Sequence, residues 1–317
     1  MGQRVEGVRG RLGRAQIRSL RSLMVLVPLR GRNLSPVRRF ARLCRGDPGR
    51  PYDSRPVQGA FYEKAGEGFV ATELTRGPWD PDAQHAGPPS ALLGRAIEGV
   101  PGGEEFQVAR VTFEILRPVP IGPVRVEAGI VRPGRSVQMI EASLSGEGGE
   151  LMKARAWRIR TRELDFPDDV VTTPAPPPGP EQGDRPEFFA TGQAAGYHTA
   201  MECRSVRGGF LELGPATVWM RMNCELVAGE EPTPLQRTLV AADVGNGISA
   251  VLDWGRFVFI NVDLSVHLER MPEGEWVCVD AVTLPQRNGI GTAESVLSDE
   301  RGRIGRAAQA LLVSERA

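Results

Sequence analysis

Lysine is almost missing from this 317-residue chain: Lys64 and Lys153 are the only two, so 37 of the 39 basic residues are arginine. Aromatic residues make up only 6%, and histidine occurs three times, at His85, His198 and His267. Histidines so far apart form no cluster with metal-ligand spacing, which argues against a metal site. The four cysteines, Cys44, Cys203, Cys224 and Cys278, include no CxxC pair. That spacing excludes a disulfide framework and reads as small core residues of a reduced, cytoplasmic protein. No stretch approaches the roughly 20 apolar residues of a membrane span. There is no GxSxG elbow and no GKS or GKT phosphate loop. The string GNGISA at 245–250 follows a helical pattern and lacks the strand-turn-helix setting of a dinucleotide fingerprint. Serine-hydrolase, P-loop and nicotinamide chemistry are thereby set aside, and no cofactor is expected.

Net charge is zero, but its distribution is uneven. Residues 1–50 hold 13 arginines against Glu6 and Asp47, a segment charge of +11, which leaves −11 on the remaining 267 residues. An Arg-rich, acid-poor start suits a transit peptide or a nucleic-acid arm. With few apolar residues to bury, residues 1–57 read instead as a disordered leader, and no nucleic-acid partner is expected for the body. The apolar run LMVLVPL within it is short for a signal peptide and is followed by Arg30 and Arg32 rather than a small-residue cleavage site.

What the chain does have is a body written twice. Arg117 closes an apolar run 32 positions before Gly149, and Arg270 closes another 32 positions before Gly302, so the copies are offset by 153 residues. A period this long indicates a duplicated domain, since solenoid repeats run at roughly 20 to 50 residues. Each copy opens a helix with proline, as helix N-termini prefer. The first helix is expected over about 88–100, followed by strands near 106–117, 123–131, 135–146 and 150–162. The second copy repeats the order: strands near 199–206 and 216–226, a helix near 234–250, then strands near 257–270, 275–286, 290–299 and 303–314. The proline-rich stretch between them lacks periodicity and reads as a linker. The expected organisation is a first domain over 58–162, a linker over 163–197 and a second domain over 198–317.

One long helix followed by a run of antiparallel strands can bury the helix only if the sheet curls around it. Two such units can pair edge strands into one continuous sheet, which also protects those edges. The expected fold is therefore α+β, a double hotdog.

The strings GPWDPDAQHAGPPSALLGRAIE (77–98), LVAADVGNGISAVLDWG (239–255), FINVDLSVHLERMPEGEWVCVDA (259–281) and GRAAQALLV (305–313) resemble the double-hotdog acyl-CoA thioesterases, including bacterial acyl-CoA thioesterase II. The likeness spans essentially residues 60–315. It implies hydrolysis of a fatty acyl-CoA in fatty acid metabolism, with the acyl-CoA as partner; homo-oligomerisation stays open. In that family an Asp on the second helix, a Thr or Ser on the next strand and a Gln on the last strand hold the hydrolytic water. These carry over to Asp243, Asn261 and Gln309. Asn261 departs from the family's hydroxyl, although an amide can still bond a water.

The repeat supplies an argument independent of family. The 153-residue offset places Val108 opposite Asn261 and Ala156 opposite Gln309, so the polar pair exists in the second copy alone. Aligning the helix prolines sets Glu98 opposite Asp243 (98−89 = 243−234 = 9), with Glu98 read as a solvated surface charge. Asp243 follows Leu239 and Val240 and so lies beside the apolar stripe of its helix. Both burial and the helix C-terminal dipole are expected to raise its pKa and make it a better base. Asn261 alternates with Asp263, Ser265 and His267, so strict period-two geometry does not bring it to the face of Gln309; a bulge or a position at the domain interface is required. His85, Ala86 and Gly87 stand just before a helix start, where free amides could form an oxyanion hole. Two alternatives remain: a catalytically weak acyl-CoA or lipid binder, and a hotdog hydratase or dehydratase using His85 with Asp243.

A truncation beginning at Gly59 is expected to keep fold and activity, because the leader lacks a core pattern. Circular dichroism and a thiol-release assay on the truncated protein check this, and loss of soluble protein would show that the leader packs on the body.

Overall fold

The computed structural model describes residues 59–167, 170, 174–188 and 191–316. The basic leader over 1–57 and Cys44 lie outside the described residues. The first copy comprises β1 (Ala60–Ala65), β2 (Gly68–Ala71), α1 (Gly87–Glu98), β3 (Phe106–Ile115), β4 (Pro123–Arg132), β5 (Val137–Gly146) and β6 (Gly149–Arg160). A short α2 (Tyr197–Ala200) leads into the second copy. That copy comprises β7 (Met201–Gly209), β8 (Glu212–Met222), β9 (Glu225–Val227), α3 (Pro234–Ala242), α4 (Gly245–Ile248), β10 (Phe257–Asn261), β11 (Asp263–Leu268), β12 (Val277–Pro285), β13 (Ile290–Asp299) and β14 (Gly302–Glu315).

The strands lie in equivalent order in the two copies, β1-β2-β4-β5-β6-β3 and β7-β8-β12-β13-β14-β11, and all belong to one 14-stranded sheet. The copies join where β3 pairs antiparallel with β11, with Thr112 opposite Ser265. Those two residues are themselves 153 apart, so the local two-fold axis of the duplication passes between them. The offset holds through the hairpins: Phe113 faces Ala154 as Val266 faces Ala307, and Ile140 faces Ala156 as Ala293 faces Gln309. The turn glycines Gly149 and Gly302 both adopt positive φ, 104° and 122°, a region that favours glycine. This is the expected double hotdog.

Two expected elements are divided. The strand expected over 257–270 is broken by a bulge at Val262, whose N–H reaches Ala310 O at 3.0 Å. The first copy has its irregularity between Val108 and Arg110, at the equivalent place. The helix expected over 234–250 ends at Ala242, and the chain resumes as α4. Gly245 lets this turn press on the sheet, since a Cβ there would stand 2.8 Å from Ser295 Oγ and 3.1 Å from Gln309 Oε1.

Helices α1 and α3 cross against each other inside the curl. Gly94 makes the approach close: a Cβ on it would lie 2.4 Å from Leu239 Cδ1. Leu92, Leu93 and Ile97 on α1 and Leu235, Leu239 and Val240 on α3 are buried among Phe113, Ile140, Leu144, Met152, Leu264, Val266 and Ile304 from the sheet. Each large aliphatic side chain removed from water contributes about 1.5 to 3 kcal/mol. Thr233 caps α3 in a capping box with Gln236, while α1 begins with Pro88 and Pro89 in its first turn. The linker is fastened to the second copy where Trp219 donates to Pro178 O at 2.7 Å and where Asp184 bridges to Ser205.

Candidate active site

Because α1 and α3 run against each other, the end of each meets the start of the other. At one crossing end, the Glu98 carboxylate accepts from Thr233 Oγ1 at 2.8 Å and Gln236 Nε2 at 3.0 Å. Glu98 is exposed, as expected of a surface charge, and its carboxylate is in addition bonded to the start of α3. At the other end stands Asp243, 3% exposed, which caps α3 and faces the start of α1.

Donors from several parts of the chain converge on that carboxylate. Asn261 Nδ2 reaches Oδ1 at 2.9 Å, and Gln309 Nε2 reaches the same oxygen at 3.2 Å. His85 Nδ1 lies 3.1 Å from Oδ2 and accepts from the Gly87 N–H at 3.1 Å, and the amides of Ala86 and Gly87 face the carboxylate closely enough to favour its ionised form. The bulge at Val262 is what admits Asn261: it reverses the alternation, so Asn261 shares a face with Phe259 and with Gln309. All six residues singled out from the sequence are thus brought together. The Gly87 N–H is not free, because it donates to His85 Nδ1.

Burial raises the Asp243 pKa to about 7, and the bonds from Asn261, Gln309, Gly87 and Ala86 oppose that shift. The expected contribution of the helix dipole is corrected: the carboxylate sits at the C-terminus of its own helix but also at the N-terminus of α1, which favours negative charge. Desolvation is what prevails. Burial also pushes His85 down to about 3, which keeps the ring neutral. The Gly87 N–H donates to Nδ1, so the neutral ring carries its proton on Nε2, and a protonated Asp243 carboxyl can donate to Nδ1.

Two supports were not foreseen in the sequence. Tyr197 stacks on His85 with ring centroids 3.8 Å apart and planes within 3°, and its hydroxyl donates to Val240 O at 2.9 Å. Asn246 donates its N–H to Gln309 Oε1 at 3.1 Å and its Nδ2 to Phe259 O at 3.1 Å, which fixes the Gln309 amide so that Nε2 faces Asp243. Asn246 lies in the GNGISA string set aside as a phosphate loop, and nothing local marks it as a support for a strand 63 residues away. Beside Asn261, Phe259 packs with Trp79 of the first copy and Trp254 of the second, at centroid distances of 5.4 and 4.5 Å.

The first copy carries no equivalent constellation. Val108 and Ala156 occupy the positions of Asn261 and Gln309, both buried, and Glu230, which aligns with His85, pairs with Arg95 and Lys64. A broad surface trough of about 680 Å³ lies elsewhere, on the outer face of β3, β6, β5 and β4, and none of these site residues lines it. Among the described residues no group of His, Cys, Asp and Glu is placed to hold a metal ion, and no helix is long and apolar enough to cross a membrane.

The raised pKa fixes a pH dependence. The folded protein holds the Asp243 proton more tightly than the unfolded chain, whose ordinary carboxylate titrates near 3.8. Stability from this group is therefore complete below about pH 4, declines as pH rises toward 7 and is constant above that. Asp243→Asn removes the titration, so its melting temperature relative to wild type should rise across pH 4 to 7 and then level off. Thermal melts at several pH values check this; a difference independent of pH would show that Asp243 titrates normally.

Residues 75–159 match the family model of the acyl-CoA thioesterase N-terminal domain, and residues 167–313 match that of the C-terminal domain. No curated protein sequence matches the chain significantly. Among solved structures, a candidate thioesterase II from Thermobifida fusca superimposes with a TM-score of 0.61 at 18% identity, covering 82% of this chain and 97% of that one. A hot-dog-fold protein of unknown function from Alicyclobacillus acidocaldarius gives 0.61 at 16% identity, over 81% and 96% of the two chains. Acyl-CoA thioesterase II from Mycobacterium marinum gives 0.52 at 13% identity, over 79% and 93%. At such identities the structural likeness speaks for the fold, and the family models, which between them cover both copies, carry the assignment: the chain belongs to the acyl-CoA thioesterase family.

Proposed function

We propose that this family member hydrolyses a fatty acyl-CoA to the free acid and CoA, with Asp243 as general base. The observation that carries this reading is a buried carboxylate, with its pKa raised to about 7, held by Asn261 and Gln309 in one copy only. A base poised near the operating pH suits proton transfer. The Asp243 oxygens are filled by donors from the protein, so a reacting water must take the place of one of them. Of the two side-chain amides Asn261 is partly exposed and Gln309 is buried, so the Asn261 amide is the group that would turn to admit and orient the water.

Asp243 then takes a proton from the water, and the oxygen bonds to the thioester carbon. When the C–S bond breaks, the same proton passes to the departing CoA sulfur. The acyl chain lies in the apolar space between helix and sheet, and the CoA remains at the surface against arginines. Charge developing on the carbonyl oxygen requires a donor, and the Gly87 N–H is already engaged by His85 Nδ1 while the Ala86 amide faces Asp243.

Asp243→Asn is expected to lower turnover by at least ~100-fold, the lower range for losing a general base. Asn261→Ala and Gln309→Ala should have smaller, less than additive effects, since both act on one group. The pH profile of kcat/KM should rise with a midpoint near 7, following ionisation of Asp243. Thiol release from saturated acyl-CoAs of graded length measures all of these, and wild-type turnover in Asp243→Asn would favour the binder reading.

Glu98→Gln is expected to leave turnover within about threefold, roughly 0.65 kcal/mol in barrier height, because Val108 and Ala156 beside it cannot orient a water. A loss equal to that of Asp243→Asn, or hydration of an enoyl-CoA, would favour hydratase chemistry using both helices.

A further inference from the structure

Ser90 lies in the first turn of α1 and is fully buried, at 0% exposure, yet its hydroxyl has no hydrogen-bond partner. A hydroxyl shut away from water without a partner is destabilising, and in a native site it calls for an explanation. Serine in a helix commonly bonds back to the carbonyl one turn earlier. Here Ala86 O is occupied by the Ser90 N–H at 3.0 Å, and Ser90 Oγ makes no such bond.

Three further observations tie this hydroxyl to Asp243. Ser90 stands three residues after Gly87, whose N–H donates to His85 Nδ1 beside the carboxylate, so it shares that face of α1 about one turn further in. The start of α1 offers few other donors: the Gly87 N–H donates to His85 Nδ1, the Ala86 amide faces Asp243, Pro88 and Pro89 have no N–H, and the Ser90 N–H is used within the helix. The duplication gives the third. The proline alignment that pairs Glu98 with Asp243 pairs Ser90 with Leu235, a buried aliphatic residue at the start of α3 facing the Glu98 end. Polar residues at the Asp243 end (His85, Ser90, Asn261, Gln309) thus stand where the Glu98 end has Glu230, Leu235, Val108 and Ala156. Glu230 is committed to ion pairs with Arg95 and Lys64, and the other three are apolar.

We infer that the Ser90 hydroxyl donates to the thioester carbonyl oxygen of the substrate and stabilises the oxyanion that forms when water adds. This rests on the hydrolase reading and supplies the donor that reading lacks. The carbonyl would approach Asp243 from the α1 side while the water enters from the Asn261 side, so the two reacting groups meet at the carboxylate from opposite directions.

The test compares wild type with Ser90→Ala and with the near-isosteric Ser90→Cys, whose weak S–H donor keeps the packing. Both should lose kcat by about 100-fold, the lower range for removing one oxyanion donor, with KM little changed. Affinity for a non-hydrolysable dodecyl-CoA thioether, which has no carbonyl, should be the same in all three. The melting temperature of Ser90→Ala should equal or exceed that of wild type. A kcat within threefold of wild type in either variant overturns the assignment, and so does a matching loss of thioether affinity, which would mark Ser90 as a packing residue. If the wild type releases no thiol from any acyl-CoA, the hydrolase reading fails and this role fails with it. If the wild type is active and the Ser90 variants match it, only the Ser90 assignment fails.

Discussion

The crossing of α1 and α3 is the constraint on which the rest of the site depends. Each helix is the long helix of its own copy, and the sheet alone cannot cover all its apolar sides. They bury against one another at Gly94 and Leu239, and the duplication makes the contact two-fold. A two-fold crossing of two helices places the last turn of each at the first turn of the other. Both copies carry an acid at that end, Glu98 and Asp243, and each finds the free donors of the facing helix start. The charge geometry is therefore general to the fold, and chemistry has to be added by what surrounds it.

What surrounds the two acids differs in a consistent direction. Glu98 is met by the capping box of α3 and has Val108 and Ala156 in the equivalent sheet positions. Asp243 is enclosed, so desolvation raises its pKa while its donors hold the ionised form within reach. A buried carboxylate left without such donors would simply stay protonated. The balance between burial and bonding is what sets the group near neutrality, and the supports contributed by Asn246 and Tyr197 keep the donors aimed.

The bulge at Val262 is the second requirement. In a regular strand Asn261 would face outward with Ser265 and His267, and the site would lose one of its two side-chain donors to Oδ1. The first copy has an irregularity at the corresponding place without a polar residue to present. The irregularity is thus common to both copies, and a polar residue stands at it in one. The alternative hydratase reading needs His85 to act as an independent acid or base, whereas His85 is buried, neutral and stacked on Tyr197 with Nδ1 turned to Asp243.

Much of this was legible in the sequence, because period and punctuation are local. The 153-residue offset, the proline-started helices and the runs of alternating residues specify two curled sheets around two helices, and the difference between copies marks Asn261 and Gln309. The same comparison extended along the helix would have marked Ser90, which stands where the other copy has Leu235. Other features required the folded chain. Sequence alternation put Asn261 on the wrong face until the bulge reversed it. The bonds of the exposed Glu98 to Thr233 and Gln236 appear only when the start of α3 is brought to it, and Gly87 reads as a free amide until the His85 ring turns Nδ1 to it. Asn246 and Tyr197 gain their roles only through partners far along the chain. The sequence by itself determined the repeat, the elements and the asymmetry, since these follow from residue order; the tertiary structure decided which donors meet which acid, since hydrogen bonds depend on distances that only packing sets.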